Sequence, residues 1–163
     1  MYSPGDQIVH PLHGAGRIAE IVRQKVAGEE RLYYVLQIQT GNVRVLVPVE
    51  GSEQIGIRPP IGPEEARQVL AAFAGLAPED APNWNRRYRE NMLRLKSGEL
   101  TEVSRVVKTL MVREREHGLS TGERKMLNTA RQILLSELVM ATGESFEALE
   151  SALAACLDAD AAR

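Results

Sequence analysis

Apolar and polar positions alternate along the first third of the chain and change to helical spacing after about residue 62. Asp6-Gln7-Ile8-Val9-His10 is a short alternating run closed by Pro11. The glycine-bearing turn His13-Gly14-Ala15-Gly16 then leads into Arg17-Ile18-Ala19-Glu20-Ile21-Val22. The polar connection Gln24 to Glu30, with Gly28 marking the turn, precedes Arg31 to Ile38, where β-branched and aromatic residues reach strand density. Thr40-Gly41-Asn42 makes the next turn before Val43 to Val49. Short strands about ten residues apart, joined by glycine turns, predict a small antiparallel barrel or sandwich and not a βαβ sheet. From Gly51 to Pro60 the pattern reads as a loop with a last short strand around Ile55-Gly56-Ile57-Arg58, and Pro59-Pro60 ends regular structure. The expected division is therefore residues 1–60 and 61–163, an α+β chain with an all-helical second half.

Gly62-Pro63-Glu64-Glu65 starts a helix with proline at its first position and acids in its first turn, and Ala66, Val69, Leu70 and Phe73 form its apolar stripe. After Pro82, Asn83 is an N-cap residue for a helix in which Trp84, Tyr88, Met92 and Leu95 share one face, with Ser97-Gly98 as the stop. The next helix spans Glu99 to His117, with Leu100, Val103, Val106, Val107, Leu110 and Met111 on one side and Arg105, Lys108, Arg113 and Arg115 elsewhere. Ser120-Thr121-Gly122-Glu123 is a capping box. It opens a helix running to about Ala141 whose stripe is Met126, Leu127, Ala130, Ile133, Leu134, Glu137 and Leu138. A final helix from about Ser145 carries Phe146, Leu149, Leu153 and Leu157.

Charge changes this picture more than composition does. The 163 residues carry a net charge of −2, yet residues 1–83 hold 7 Lys/Arg against 10 Asp/Glu, residues 84–131 hold 12 against 6, and residues 132–163 hold 1 against 6. A basic block between acidic flanks points to a local anion-binding face, not to a surface that coats nucleic acid throughout. The only tryptophan, Trp84, opens that block beside Arg86, Arg87 and Arg89. A large flat aromatic at a helix start flanked by cations suits a polyanion with stackable bases, although buried tryptophans and solvated arginine faces are the commoner use of such residues. His10 and His13 lack a third metal ligand nearby, and Gly14-Ala15-Gly16 lacks the further glycine and helix of a phosphate loop. No arrangement of nucleophile, base or paired carboxylates stands out, so catalysis, metal and cofactor are not expected. Cys156 stands alone in a helical apolar setting. No apolar run approaches the roughly 20 residues of a membrane span, and the first residues lack the features of a signal peptide, so a cytoplasmic protein is expected.

Pro4-Gly5-Asp6, His10-Pro11, His13-Gly14, Val47-Pro48, Asn83-Trp84 with Arg86-Arg87-Tyr88, Lys96-Ser97-Gly98, and Gly118-Leu119-Ser120 with Glu123-Arg124-Lys125-Met126-Leu127 follow one another in an order and spacing that resembles the CarD (CdnL) family of bacterial transcription regulators. The resemblance covers nearly the whole chain. It implies an N-terminal Tudor-like or SH3-like barrel, shared with transcription-repair coupling factor, that binds the RNA polymerase β subunit through an exposed strand edge. It also implies a C-terminal helical domain that contacts promoter DNA at the upstream edge of the transcription bubble. Trp84 then matches a tryptophan that wedges into the minor groove, with Arg86, Arg87 and Arg89 on the backbone and Lys125 as a further DNA contact. On the polymerase side the candidate positions are Gln24, Val26, Arg44 and Leu46; some family members carry arginine where this chain has Gln24 and Leu46, so those family contacts do not carry over to this chain. The segment Gln24 to Glu30 and the strand Arg31 to Leu36 would offer the pairing edge. The implied outcome is open-complex stabilisation without catalysis, by a monomer that reaches the nucleoid through polymerase. The alternative is a protein-protein adaptor of the transcription machinery in which Trp84 does not wedge into DNA.

Overall fold

The computed structural model describes residues 1–79 and 81–161. Four strands, β1 (Gln7–His10), β2 (Gly14–Val26), β3 (Glu29–Ile38) and β4 (Arg44–Pro48), form one antiparallel sheet in sequence order. A short helix α1 (Ser52–Ile55) follows, then α2 (Pro63–Phe73), α3 (Trp84–Lys96), α4 (Leu100–Glu116), α5 (Thr121–Thr142) and α6 (Phe146–Ala161). The chain is thus α+β with a helical second part. The sheet is a meander, as the run of short strands joined by glycine turns predicted, and a single bridge between Val9 and Arg58 adds to it beside β1. Ile55, expected in a last strand, instead ends α1, and Arg58 is the lone bridging residue.

β2 and β3 are longer than their apolar runs. The polar stretch read as a connection is the arm of a hairpin in which Gln24 pairs with Arg31, Lys25 with Glu30 and Val26 with Glu29. The opposite charges of Lys25 and Glu30 and the closing turn extend the ladder beyond the apolar residues. The turn is Ala27-Gly28, with φ of 53° and 82°. Positive φ at both central residues gives the twist that matches the flanking strands, and the alanine accepts a conformation costing roughly 1 kcal/mol to do so.

Two apolar cores result. Ile8, Ile18, Tyr34, Leu36, Ile38, Val47 and Ile57 pack on one face of the sheet. Phe73, Leu95, Val106, Leu110, Leu127, Leu134 and Leu149 belong to a separate cluster among α2 to α6. The contact between these halves is polar and close. The backbone N–H of Ala15 donates to Ser136 Oγ at 2.8 Å, and Gln132 Nε2 donates to the His13 carbonyl at 3.0 Å. Arg58 makes a bidentate pair with the fully buried Glu137, at 2.7 and 2.8 Å, and the N–H of Ile61 donates to the same carboxylate at 2.9 Å. Gly14 sits on α5 so tightly that a Cβ there would lie 2.3 Å from Ser136 Oγ and 3.2 Å from the Gln132 carbonyl, and its φ is +103°. The glycine turn read from the sequence is therefore the surface on which the sheet meets α5.

His10, at the end of β1, is buried beside this seam. Its Nδ1 accepts from the Leu12 N–H at 3.1 Å and its ring lies 4.5 Å from that of His13. Burial, and then the neighbouring His13, lower its pKa from 6.5 to about 4. The folded state thus favours neutral His10, so its contribution is complete above pH 6.5 and is lost as pH falls from there toward 4. Among the described residues no group of three His, Cys, Asp or Glu side chains could hold a metal.

Two outcomes follow from the seam. Gly14→Ala should destabilise the chain by about 2 kcal/mol, lowering Tm by roughly 4–8 °C; an unchanged melting curve would mean that Ser136 and α5 yield easily. Between pH 6.5 and 4 the wild type should lose about 2 kcal/mol more stability than His10→Gln, measured by urea unfolding. Parallel pH profiles for the two proteins would remove His10 as the cause.

Candidate nucleic-acid interface

α3 begins where Asn83 Oδ1 accepts the Arg86 N–H at 3.2 Å, an N-cap in extended conformation. The face it buries is not the one its apolar residues mark. Arg87, Asn91 and Leu95 are buried, Tyr88 and Met92 are half-buried, and Trp84 keeps 43% of its surface exposed. The adjoining outer face, Arg86, Arg89, Leu93 and Lys96, is exposed. Trp84 is therefore not a core anchor.

It is nevertheless held. The indole stacks on Tyr88, with ring centroids 5.3 Å apart and planes 19° from parallel. Its Nε1–H donates to Ser120 Oγ at 3.0 Å, and Ser120 is the N-cap of α5. The same hydroxyl accepts the Glu123 N–H and donates to Glu123 Oε1, each at 3.2 Å, so the capping box is also the floor of the tryptophan site.

Arg87 differs from its sequence-based assignment. Its side chain is only 6% exposed, and its Nε lies 3.3 Å from Glu123 Oε2, whose carboxylate is also buried. Nη1 donates to the carbonyls of Ala81 and Pro82, both at 3.2 Å. A guanidinium so committed secures the loop before α3 to the start of α5, and is placed to support the interface, not to face a phosphate. Arg113 Nε approaches the same Glu123 oxygen at 3.6 Å. Removing one partner of a buried pair costs far more than an exposed pair contributes.

The remaining cations face outward. Arg86 pairs with Glu90 at 2.9 Å, a contact that lowers the Glu90 pKa first through the hydrogen bond and then through charge, while desolvation opposes it. Arg89 and, in the second turn of α5, Lys125 are exposed and make no ion pair among the described residues. Trp84, Arg86, Arg89 and Lys125 are thus presented at the junction of α3 with the start of α5. Several cations of the basic block are used internally. Lys108, expected on a solvated side, is buried and donates to the carbonyls of Phe73 and Ala74 at 3.0 and 2.7 Å, capping the end of α2. Arg94 bonds Asn91 Oδ1 at 3.0 Å and also pairs with Glu79.

On the sheet, Gln24 and Val26 lie near the tip of β2 and Arg44 and Leu46 on the outer strand β4. The register pairs Leu46 with Val35, Val35 with Glu20, Gln24 with Arg31 and Arg44 with Gln37, so all four project from the face opposite the sheet core, at separate places. Exposure reaches 49% for Val26 and 45% for Leu46. Of the strand Arg31 to Leu36, Tyr33 to Leu36 are covered by β4, whereas Arg31 lies beyond that pairing. The open edges are the outer side of β4, the start of β3 from Glu29 to Arg31 on the side away from β2, and the part of β2 beyond its pairing with β1, which ends at Arg17.

Sequence reasoning missed Glu123 and Glu137 as structural acids. Glu137 stood in an apolar stripe, and an acid at such a position signals a buried pair. Ser120 was recognised as a cap, but nothing local indicates that it meets Trp84, 36 residues away.

Residues 2–61 match the family model described as CarD-like/TRCF RID domain, and residues 68–154 match that described as CarD, C-terminal domain. The chain is 32% identical over 151 residues to a Bacillus subtilis (strain 168) protein named "Putative transcription factor YdeB", covering 93% of this chain and 99% of that one.

Arg87→Ala should lower unfolding free energy by about 3 kcal/mol, whereas Arg89→Ala should leave it within about 0.5 kcal/mol. Equal effects on thermal unfolding would mean that the Arg87–Glu123 pair is not a structural support.

Proposed function

The chain belongs to the CarD family of transcription factors, and from that premise we propose that it regulates initiation by binding the RNA polymerase β subunit through its sheet and promoter DNA through its helical part. The observation that carries the DNA reading is the partly exposed, rigidly seated Trp84 flanked by outward cations. Opening a duplex leaves a distorted step at the upstream edge of the bubble, and its minor groove accepts an apolar wedge. Binding to that step stabilises the open complex only to the extent that it exceeds binding to the closed one, and a factor of ten in lifetime corresponds to about 1.4 kcal/mol of such difference. Arg86, Arg89 and Lys125 neutralise nearby phosphates and make the effect salt-sensitive. Arg87 acts by holding this surface together.

With so few phosphate contacts, free DNA is bound weakly, and polymerase supplies the local concentration. The sheet does so through an open edge, β4 or the distal part of β2, with Val26, Arg44, Leu46 and Gln24 on the adjoining face. The protein acts as a monomer, without cofactor and without catalysis. An adaptor that does not touch DNA would have no use for a tryptophan left 43% exposed amid cations.

Trp84→Ala should reduce the protein-dependent lengthening of open-complex lifetime about tenfold while lowering Tm by only a few degrees, roughly 2–4 °C per kcal/mol lost, and leaving capture of the β subunit unchanged. Full retention of the lengthening would reject the DNA contact, and loss of β-subunit capture would reject the division of labour between the two parts.

A further inference from the structure

We infer that the α5 cap, Ser120 with Glu123 behind it, positions the Trp84 indole and occupies its only hydrogen-bond donor, so that the indole meets DNA by shape and stacking and not by reading base edges. This rests on the DNA-contact reading above. A tryptophan side chain has one polar group, the indole N–H, and it can only donate. In the minor groove its available acceptors would be purine N3 and pyrimidine O2, which at an A·T pair are adenine N3 and thymine O2. Here that N–H is spent within the protein, 3.0 Å from Ser120 Oγ.

The acceptor is itself fixed. A serine hydroxyl has one proton and two lone pairs, and all three are used: it accepts from Trp84 Nε1 and from the Glu123 N–H, and donates to Glu123 Oε1. Glu123 cannot swing away to release it, because its carboxylate is 3% exposed and Oε2 faces Arg87 at 3.3 Å and Arg113 at 3.6 Å. On the other side the ring lies against Tyr88. The indole is thus oriented before DNA arrives and loses little rotamer freedom on binding. A wedge with its polar edge turned inward responds to how readily a base step unstacks, which varies with the step's deformability more than with the hydrogen-bonding groups it displays.

Because Trp84 is the only tryptophan, its emission reports this site alone. Ser120→Gly removes the hydroxyl while keeping most of the capping, and Ser120→Thr keeps both. In the free full-length chain, Ser120→Gly should speed indole anisotropy decay and raise acrylamide quenching about twofold, with Ser120→Thr close to wild type. With polymerase on a promoter, Ser120→Gly should cut the lifetime extension about fivefold, the equivalent of one ordinary hydrogen bond, and Ser120→Thr should restore it. On templates carrying 3-deazaadenine or 2-thiothymine at the contacted steps, wild-type extension should stay within about twofold of normal. A several-fold loss on those templates that is absent for Trp84→Phe would show that the N–H reads a base, overturning the inference. If Trp84→Ala abolishes the extension but Ser120→Gly matches wild type in both fluorescence and lifetime, the positioning role fails while the DNA contact stands. If Trp84→Ala has no effect on lifetime, the DNA contact fails and the shape-reading role with it; positioning is then decided by the fluorescence of Ser120→Gly alone.

Discussion

The carboxylate of Glu137 has no exposed surface, and both of its oxygens are bound by chain arriving from the sheet: Arg58 on each, and the Ile61 N–H on one. An ionised carboxylate in such a place is tolerable only while those partners remain, since desolvating it unpaired would cost several kcal/mol. The same pair fixes Arg58, which also bridges to Val9 and so closes the sheet at its β1 end. One and five residues earlier on α5, Ser136 and Gln132 hold the Gly14 turn. The relation between the two cores is therefore specified by hydrogen bonds along one stretch of one helix, around the buried Ala15. The start of α5, fifteen residues before Ser136 in Thr121, carries the tryptophan site. A single helix is the common frame for both surfaces.

This arrangement explains how the basic block is divided. Arg87, Arg94 and Lys108 satisfy acids or carbonyls at the joints of α2, α3 and α4, where the last carbonyls of a helix and the loop before α3 need donors. Arg86, Arg89, Lys96, Arg124 and Lys125 remain at the surface. A count of charges along the sequence therefore overstates the outward field, because a guanidinium can serve either role and its partners lie on other helices. The acids that neutralise the inner set, Glu79 and Glu123, come from different segments as well.

The strand positions, the helix starts and the capping box were legible because each depends on neighbours within a few residues. Asn83, Gly62-Pro63 and Ser120 cap as their sequence requires. The lone tryptophan and the charge segregation singled out Trp84 and its flanking arginines, and the family resemblance implied a role for them. What stayed hidden was non-local. The hairpin arm beyond Val22 depends on the turn at Ala27-Gly28 and on pairs such as Lys25 with Glu30, the last predicted strand gives way to α1 and a one-residue bridge, and Arg87 turns inward because Glu123 waits on α5. Helical spacing put Trp84, Tyr88, Met92 and Leu95 on one stripe, but of these tertiary packing buried only Leu95 fully, together with the neighbouring Arg87 and Asn91. An arginine and an asparagine are buried there because partners exist for them, and those partners are not visible in the local pattern.

The seam joins Ala15 to Ser136, positions 121 apart in sequence. During synthesis the sheet emerges long before the helix that covers its Gly14 turn, and at about 5–20 residues per second the delay is on the order of 6–24 s. Over that interval the His13 carbonyl and the Ala15 N–H are open to water, and the turn must keep its left-handed glycine without support from α5. The polar character of the seam suits this order of events: backbone groups awaiting a late partner are hydrated in the meantime, whereas an apolar face of the same extent would have been a site for nascent chains to associate.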